Sequence, residues 1–253
     1  VKLIRYFDGR EAHWGSLEGH LVYRLAGDPF GAFAVDAAVG PLEGVRLLPP
    51  CVPTKIIAIG LNFRPEAPEG QPAVPDEPIF SFKPPSAVIG PGDAIVWPRS
   101  SQRVDFEGEL ALVIGKPAKN VELAEASRYI LGITCGNDVT ARDYQRREGQ
   151  WAKAKGFDTF CPLGPAIATG IDPVACRLEV RVGGAVRQSA AAADLHFSAT
   201  ALVSYLSKIM TLMPGDVILT GTPPGSGPLR IGETVEVEIP EVGTLRNRVT
   251  AEG

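Results

Sequence analysis

The sequence predicts a β-dominated α+β fold with a mixed sheet and a small N-terminal β-rich subdomain. Three observations carry that reading. Most apolar runs are short, rich in branched residues and bounded by Gly or Pro, as strands are. Helical spacing is confined to a few segments and is clearest over 198–212, where Leu202, Tyr205, Leu206 and Ile209 recur. Strands and helices do not alternate strictly, which argues against a doubly wound parallel sheet.

The elements follow in order. Residues 1–50 hold the strand-like pieces "KLIRYF", "HLVYRL" and "EGVRLLPP", separated by Gly and Pro and closing at Pro49-Pro50. From Lys55 the pattern changes, and 51–253 reads as the larger domain. "KIIAIG" reads as a buried strand, followed by the proline-laden "RPEAPEGQPAVPDEP", then "IFSFKPPSAVIG" and "AIVWP". The 64–78 segment reads either as a lid that orders over a ligand or as a static surface loop. After the strand "VDFEGELALVIGK", residues 121–129 read as a helix, 130–135 as a strand and 139–147 as a helix. "GPAIATG" and "CRLEVRVGGAVRQ" are strand-like, the latter with a Gly-Gly turn signal. The 198–212 helix comes next. "GDVILTG" and "ETVEVEIPEVGTLRNRVT" return to β, the last as a hairpin.

Composition narrows the function classes. The 253 residues carry a formal net charge of −4 and no basic stripe, which argues against a nucleic-acid partner. No apolar run approaches the roughly 18 to 20 residues that span a bilayer. "VKLIRYFDGR" is interrupted by charge too early for a signal peptide. Cys51, Cys135, Cys161 and Cys176 are scattered without a C-x-x-C spacing and read as reduced thiols, so the expected location is cytoplasmic. The chain has 23 Pro, 2 Met, 4 Asn and 5 Gln, with 17 Arg against 8 Lys. Stiff loops with few heat-labile residues point to a thermostable protein; the composition bias of a GC-rich genome predicts the same counts.

Chemistry concentrates in two stretches. In "VDFEGELALVIGK", Glu107 and Glu109 are two apart and share a strand face with the apolar Ala111 and Val113. A solvated strand end would hold such a pair at little cost. In "GITCGNDVTARDYQ", Asp138 stands where a strand gives way to a helix, which suits an N-cap. Together the two Glu and the Asp would form an all-carboxylate set, whose hard oxygens suit Mg²⁺ or Mn²⁺. No His- or Cys-rich cluster competes for zinc. "GTPPGSGPLRIG" lacks the lysine of a phosphate-binding P-loop, so nucleotide binding is not expected.

"IIAIGLNF", "VDFEGELALVIGK", "GNDVTARDYQ", "WAKAKGFDTFCPLGPAI" and "MTLMPGDVILTGTPPGSGPLRIGETVEVEIPEVGTLRN" occur in this order. Together, from about Lys55 to the C-terminus, they resemble the fumarylacetoacetate hydrolase family. The resemblance implies a mixed β-sheet roll or barrel core in the 51–253 catalytic domain, and a homodimer. It implies that Glu107, Glu109 and Asp138 ligate Mg²⁺ or Mn²⁺ and that Lys155 reaches toward the bound substrate. Arg142 and Gln145 would line the pocket, and Thr222 would contact the substrate carboxylate or carbonyl. Each has a plainer alternative: a surface lysine, an arginine paired with Asp143 or Glu148, and a turn threonine.

One departure bears on the reaction. The family lid usually carries a His followed three residues later by a Glu, a pair that activates water. Here Glu69 falls on the glutamate and Glu66 replaces the histidine. Imidazole titrates near neutrality, and a carboxylate does so only when its environment raises its pKa. His13 and His20 lie in the N-terminal part, and His196 reads as packing or surface. "QSAAAADLHF" also lacks the Asn-Thr usual before that Asp. The expected activity is therefore isomerisation, and decarboxylation, of a 2-hydroxyhepta-2,4-diene-1,7-dioate-type acid in homoprotocatechuate breakdown. Lys155, Glu66 or Glu69 would deliver the proton. The alternatives are an acylpyruvate hydrolase or oxaloacetate decarboxylase using the same site, and a non-catalytic metal- or ligand-binding relative.

Overall fold

A computed structural model of the chain describes residues 1–63 and 75–253. It is built from strands, as expected, and they form a twelve-stranded mixed sheet, a five-stranded sheet and a three-stranded one. In the large sheet Gly108–Ile114 lies between Ile130–Asn137 and Val217–Leu219, antiparallel to both, and Val217–Leu219 runs parallel to Ile56–Gly60. In the five-stranded sheet Ile95–Trp97 runs parallel to the terminal Gly243–Ala251.

The Gly108–Ile114 strand explains how the layers stack. Successive side chains on a strand point to opposite faces, and here both faces are covered. Leu110, Leu112 and Ile114 enter the core shared with Val180, Val237 and Leu245 of the five-stranded sheet. Ala111 and Val113 enter a second core with Leu3, Ile56, Leu163 and Val217. A strand buried on both faces reads as an unbroken apolar run, and "LALVI" does.

The N-terminal part is joined to this frame by the sheet. Lys2–Phe7 pairs with Cys161–Thr169 through Lys2 opposite Ala168 and Leu3 opposite Ile167. Two of its strands, Ala12–Glu18 and Phe33–Pro41, were not anticipated. No described helix is long and apolar enough to cross a membrane.

The helix expected over 121–129 is present as the 3-10 helix Leu123–Tyr129, and one helical expectation is corrected. The helix expected from 139 begins at Arg142, because Thr140–Ala141 first pairs with Val104–Phe106. Asp138 therefore caps no helix; that N-cap position belongs to Ala141. The 198–212 expectation holds as Ala199–Ile209, where the Ser198 hydroxyl accepts from the Ala201 amide.

Candidate active site

The site forms where two antiparallel strands end together. Gly108 stands opposite Asn137 and Glu109 opposite Gly136. One residue further out, the Asp138 amide donates to the Glu107 carbonyl at 2.8 Å. The Asn137 Oδ1 accepts from the Glu107 amide at 3.0 Å. This crossing of chain ends gathers Glu107, Glu109 and Asp138 so that one oxygen of each lies within 4.8 Å of the others. All three are buried, at 7%, 1% and 1% exposure, so these are not the solvated acids of an ordinary strand end.

Two lysines face the acids. Lys155 ends the short Ala152–Lys155 helix and is 4% exposed, which rules out the surface-lysine alternative. Its Nζ donates to Asp138 Oδ2, to Glu107 Oε2 at 3.1 Å and to Thr140 Oγ1 at 3.1 Å. Lys83, which the sequence did not single out, ends the Ile79–Lys83 strand and is 1% exposed. Its Nζ donates to Asp138 Oδ1 at 2.6 Å and to the Val139 carbonyl at 3.0 Å. Burial alone would raise the Asp138 carboxyl, but the Lys155 and Lys83 ammoniums outweigh it and hold it below the ordinary carboxylate range.

Glu109 is in the opposite situation. Burial, then the Asp138 and Glu107 charges, push its carboxyl well above the usual range, and Lys155 and the Gly221 amide offset this only in part. The Gly221 amide donates to its Oε2 at 2.6 Å. Three converging hard oxygens, with repulsion only partly offset at Glu109, fit a divalent cation such as Mg²⁺ or Mn²⁺.

Arg142 pairs with neither Asp143 nor Glu148. Its Nε donates to Asp105 Oδ2 at 2.8 Å, its Nη2 to Glu107 and its Nη1 to Gln145 Oε1. Asp105 is held on its other side by Arg103, at 2.8 and 3.0 Å. Thr222 does more than make a turn: its hydroxyl donates to the Gly108 carbonyl at 2.9 Å and accepts from Gln188 Nε2 at 2.8 Å.

A cavity of about 680 Å³ opens over this floor. Glu107, Glu109, Lys155, Arg142, Gln145 and Thr222 all line it, whereas Asp138 lies behind Lys155. Phe63 and Trp151 add apolar surface to the lining, and the exposed Arg146 also belongs to it. Arg146 makes no ion pair among the described residues, unlike Arg103 and Arg142. Glu66 and Glu69 lie outside the described residues, as does the 64–74 part of the expected lid. None of the three histidines lines the cavity, and His196 is exposed.

A strand-dominated fold with an acidic triad beside a buried lysine defines a class, and sequence comparison agrees with it. Residues 55–250 match the C-terminal fumarylacetoacetate hydrolase family model, so the chain belongs to the fumarylacetoacetate hydrolase family of enzymes. Residues 1–50 match the Rv2993c-like N-terminal family. A protein of Archaeoglobus fulgidus is 54% identical over 207 residues, covering 82% of this chain and 83% of its own. The mitochondrial oxaloacetate tautomerase of Rattus norvegicus is 40% identical over 230 residues, covering 86% of this chain and 74% of its own. Among solved structures, a 2-hydroxyhepta-2,4-diene-1,7-dioate isomerase from Mycobacterium marinum superposes with a TM-score of 0.93 at 41% identity, over 100% of this chain and 99% of its own. A 5-carboxymethyl-2-hydroxymuconate delta-isomerase from Mycobacterium smegmatis gives 0.92 at 43%, over the whole of both chains. A maleylpyruvate hydrolase from Sphingobium sp. SYK-6, in complex with manganese(II) and pyruvate, gives 0.82 at 29%, also over the whole of both.

Proposed function

We propose that this protein is a divalent-metal-dependent isomerase of 2-hydroxy-2,4-dienoic diacids, of the 2-hydroxyhepta-2,4-diene-1,7-dioate type. The observation that carries the reading is the buried Glu107–Glu109–Asp138 triad with Lys155 beside it, at the floor of a cavity that no histidine lines. Glu107, Glu109 and Asp138 would hold Mg²⁺ or Mn²⁺, and the manganese-bearing hydrolase relative supports that assignment. Such a cation supplies Lewis acidity toward the C1 carboxylate and C2 oxygen of the substrate.

The reaction moves one proton: it leaves the C2 hydroxyl and is returned at C5, while the two double bonds shift to C2=O and C3=C4. Lys155 carries an ammonium at the cavity wall, positioned to stabilise the negative charge that develops as the hydroxyl proton leaves. Proton delivery at C5 falls to Lys155 or to the lid carboxylates Glu66 and Glu69. The Phe63 and Trp151 rings suit the flat, apolar diene. With no imidazole at the site, water activation has no evident base, which disfavours the hydrolase alternative.

Charge supports a diacid. Asp105, Glu107, Glu109 and Asp138 are matched by Lys83, Arg103, Arg142 and Lys155. A divalent ion and Arg146, which also lines the cavity, leave three positive charges; a dicarboxylate neutralises two of them, with Arg146 placed to meet the distal carboxylate.

A second reading has its own support. The oxaloacetate tautomerase relative of Rattus norvegicus points to a shorter shift, the keto–enol pair of a four-carbon diacid, in which the proton returns at C3, two carbons nearer than C5. One assay separates these readings. Protein stripped with EDTA is reloaded with Mn²⁺ or Mg²⁺ and given the seven-carbon dienol, enol-oxaloacetate or acetylpyruvate, with Glu109→Ala as control. Metal-dependent loss of the dienol absorbance without acetylpyruvate cleavage is the expected result. Turnover confined to oxaloacetate would select the second reading, and rapid acetylpyruvate cleavage would overturn both.

A further inference from the structure

Glu107 and Glu109 are joined through Gly108, and both peptide groups of that glycine are held from outside their own strand pair. The Gly108 amide donates to Gln188 Oε1 at 3.1 Å. The Gly108 carbonyl accepts from the Thr222 hydroxyl at 2.9 Å. Gln188 Nε2 closes the ring by donating to Thr222 Oγ1 at 2.8 Å, and also donates to the Pro223 carbonyl at 2.6 Å. Gln188 is 1% exposed.

Backbone partners fix every direction in this ring. An amide N–H can only donate and a carbonyl can only accept, so the Gln188 side chain has one permitted orientation. Thr222 must then accept from Gln188 and spend its single hydroxyl proton on Gly108. That proton is engaged before any ligand arrives, so Thr222 serves the backbone between the two glutamates.

The geometry also explains the glycine. A Cβ at Gly108 would stand 2.2 Å from Val180 Cγ2. Val180 is the cross-strand partner of Gln188 in the five-stranded sheet. Only a residue without a side chain lets that sheet approach closely enough for Gln188 to reach the strand. Meanwhile Val217–Leu219 pairs with Gly108–Ile114 only from Ala111 to Val113, so the strand edge at Gly108 has no ladder neighbour on that side. Gln188 and Thr222 take the place of one.

We propose that Gln188 is a positioning residue for the cation site: from a separate sheet it fixes the two peptide planes that set the spacing of the Glu107 and Glu109 carboxylates. This rests on the metal-site reading above. Groups that hydrogen-bond metal-binding residues typically govern affinity by about 10- to 100-fold; Gln188 acts directly on the Glu107–Gly108 peptide and, through Thr222, on the Gly108–Glu109 peptide.

The test uses Mn²⁺ alone as probe, with its dissociation constant measured by electron paramagnetic resonance on the full chain. Wild type, Glu109→Ala, Gln188→Met and Thr222→Val are compared, with thermal unfolding of each metal-stripped protein alongside. Gln188→Met keeps the length and removes all three hydrogen bonds. It is expected to weaken Mn²⁺ at least about tenfold, with an altered Mn²⁺ line shape and faster exchange of the Gly108 amide by NMR. A lowered unfolding midpoint with Mn²⁺ affinity within twofold of wild type would overturn the proposal, because that is what a merely structural role gives. If Gln188→Met does not fold, Thr222→Val decides: it breaks the ring at Gly108, and unchanged affinity overturns the proposal equally. Loss of binding in Glu109→Ala alone, with Gln188→Met normal, sinks the Gln188 inference and leaves the site reading standing. A wild type that binds no Mn²⁺ sinks both.

Discussion

Asp138 carries a different lysine on each carboxylate oxygen. Lys83 is fully buried and its partners are Asp138 and one backbone carbonyl, so its charge is tolerable only while that pair exists. Lys83→Met removes one partner and leaves the other buried, which costs about 3–5 kcal/mol in such pairs; urea unfolding of the variant measures it. A loss under about 1 kcal/mol would mean that Lys155 alone satisfies Asp138. The sequence hid Lys83, because a lysine in "FSFKPPS" looks like a strand-end surface residue and its partner lies 55 positions away. Arg142 was legible as a pocket residue but not in its pairing. Sequence neighbours offered Asp143 and Glu148, while strand pairing delivered Asp105 and Glu107. Arg146, exposed and unpaired among the described residues, carries the specificity prediction. Arg146→Ala should raise KM for the seven-carbon diacid about tenfold, as loss of one charged hydrogen bond does. It should leave 2-hydroxypenta-2,4-dienoate, which lacks the distal carboxylate, within twofold. Equal effects on both substrates would place the distal carboxylate elsewhere.

At the scale of elements, a short edge decides whether the site exists. At Gly108 the five-stranded sheet leaves no room for a Cβ on the acidic strand. Gly108→Ala must separate the Arg177–Val182 strand from Gly108–Ile114 or rotate Val180. Overpacking of this kind costs about 1–3 kcal/mol, and denaturant unfolding should show it. Mn²⁺ affinity should fall too, since the Gln188 contacts lengthen with the same displacement; unchanged affinity would mean that the sheets part without moving the carboxylates. The strands that build this frame were legible because both faces are buried and their sequences are unbroken apolar runs. Ala12–Glu18 and Phe33–Pro41 were not. "AHWGSLE" mixes polar and apolar residues around a glycine, and no residue of "FAVDAAVGP" is buried, so neither shows a period of two. The helix misplaced at 139 failed for a related reason. Asp138 has the chemistry of an N-cap, and only the tertiary pairing of Thr140–Ala141 with Val104–Phe106 diverts it to the site.

At the scale of the whole molecule, the carboxylate triad sits where several separate segments of the chain meet. Glu107 and Glu109 come from one strand end, Asp138 from the next, and the lysines from 83 and 155, and the five-stranded sheet braces them through Gln188. A cation bound there would tie these segments together only in the folded state, so its binding adds to global stability by mass action. Free Mn²⁺ at a hundred times its dissociation constant should contribute about 2.7 kcal/mol. For a chain of this size, 1 kcal/mol moves the thermal midpoint by roughly 2–4 °C, so a rise of about 5–10 °C is expected. Differential scanning calorimetry with and without Mn²⁺ checks it. Glu109→Ala should lose the shift entirely, while Arg146→Ala should keep it, because among the described residues Arg146 pairs with none of the three carboxylates. The same scans decide what the proline-rich, Asn- and Met-poor composition means. A metal-stripped midpoint above the roughly 45–65 °C typical of mesophile domains assigns it to heat stability. A midpoint inside that range would leave composition bias as its source, and the stability of the site would then rest on the bound cation and the Gln188 brace.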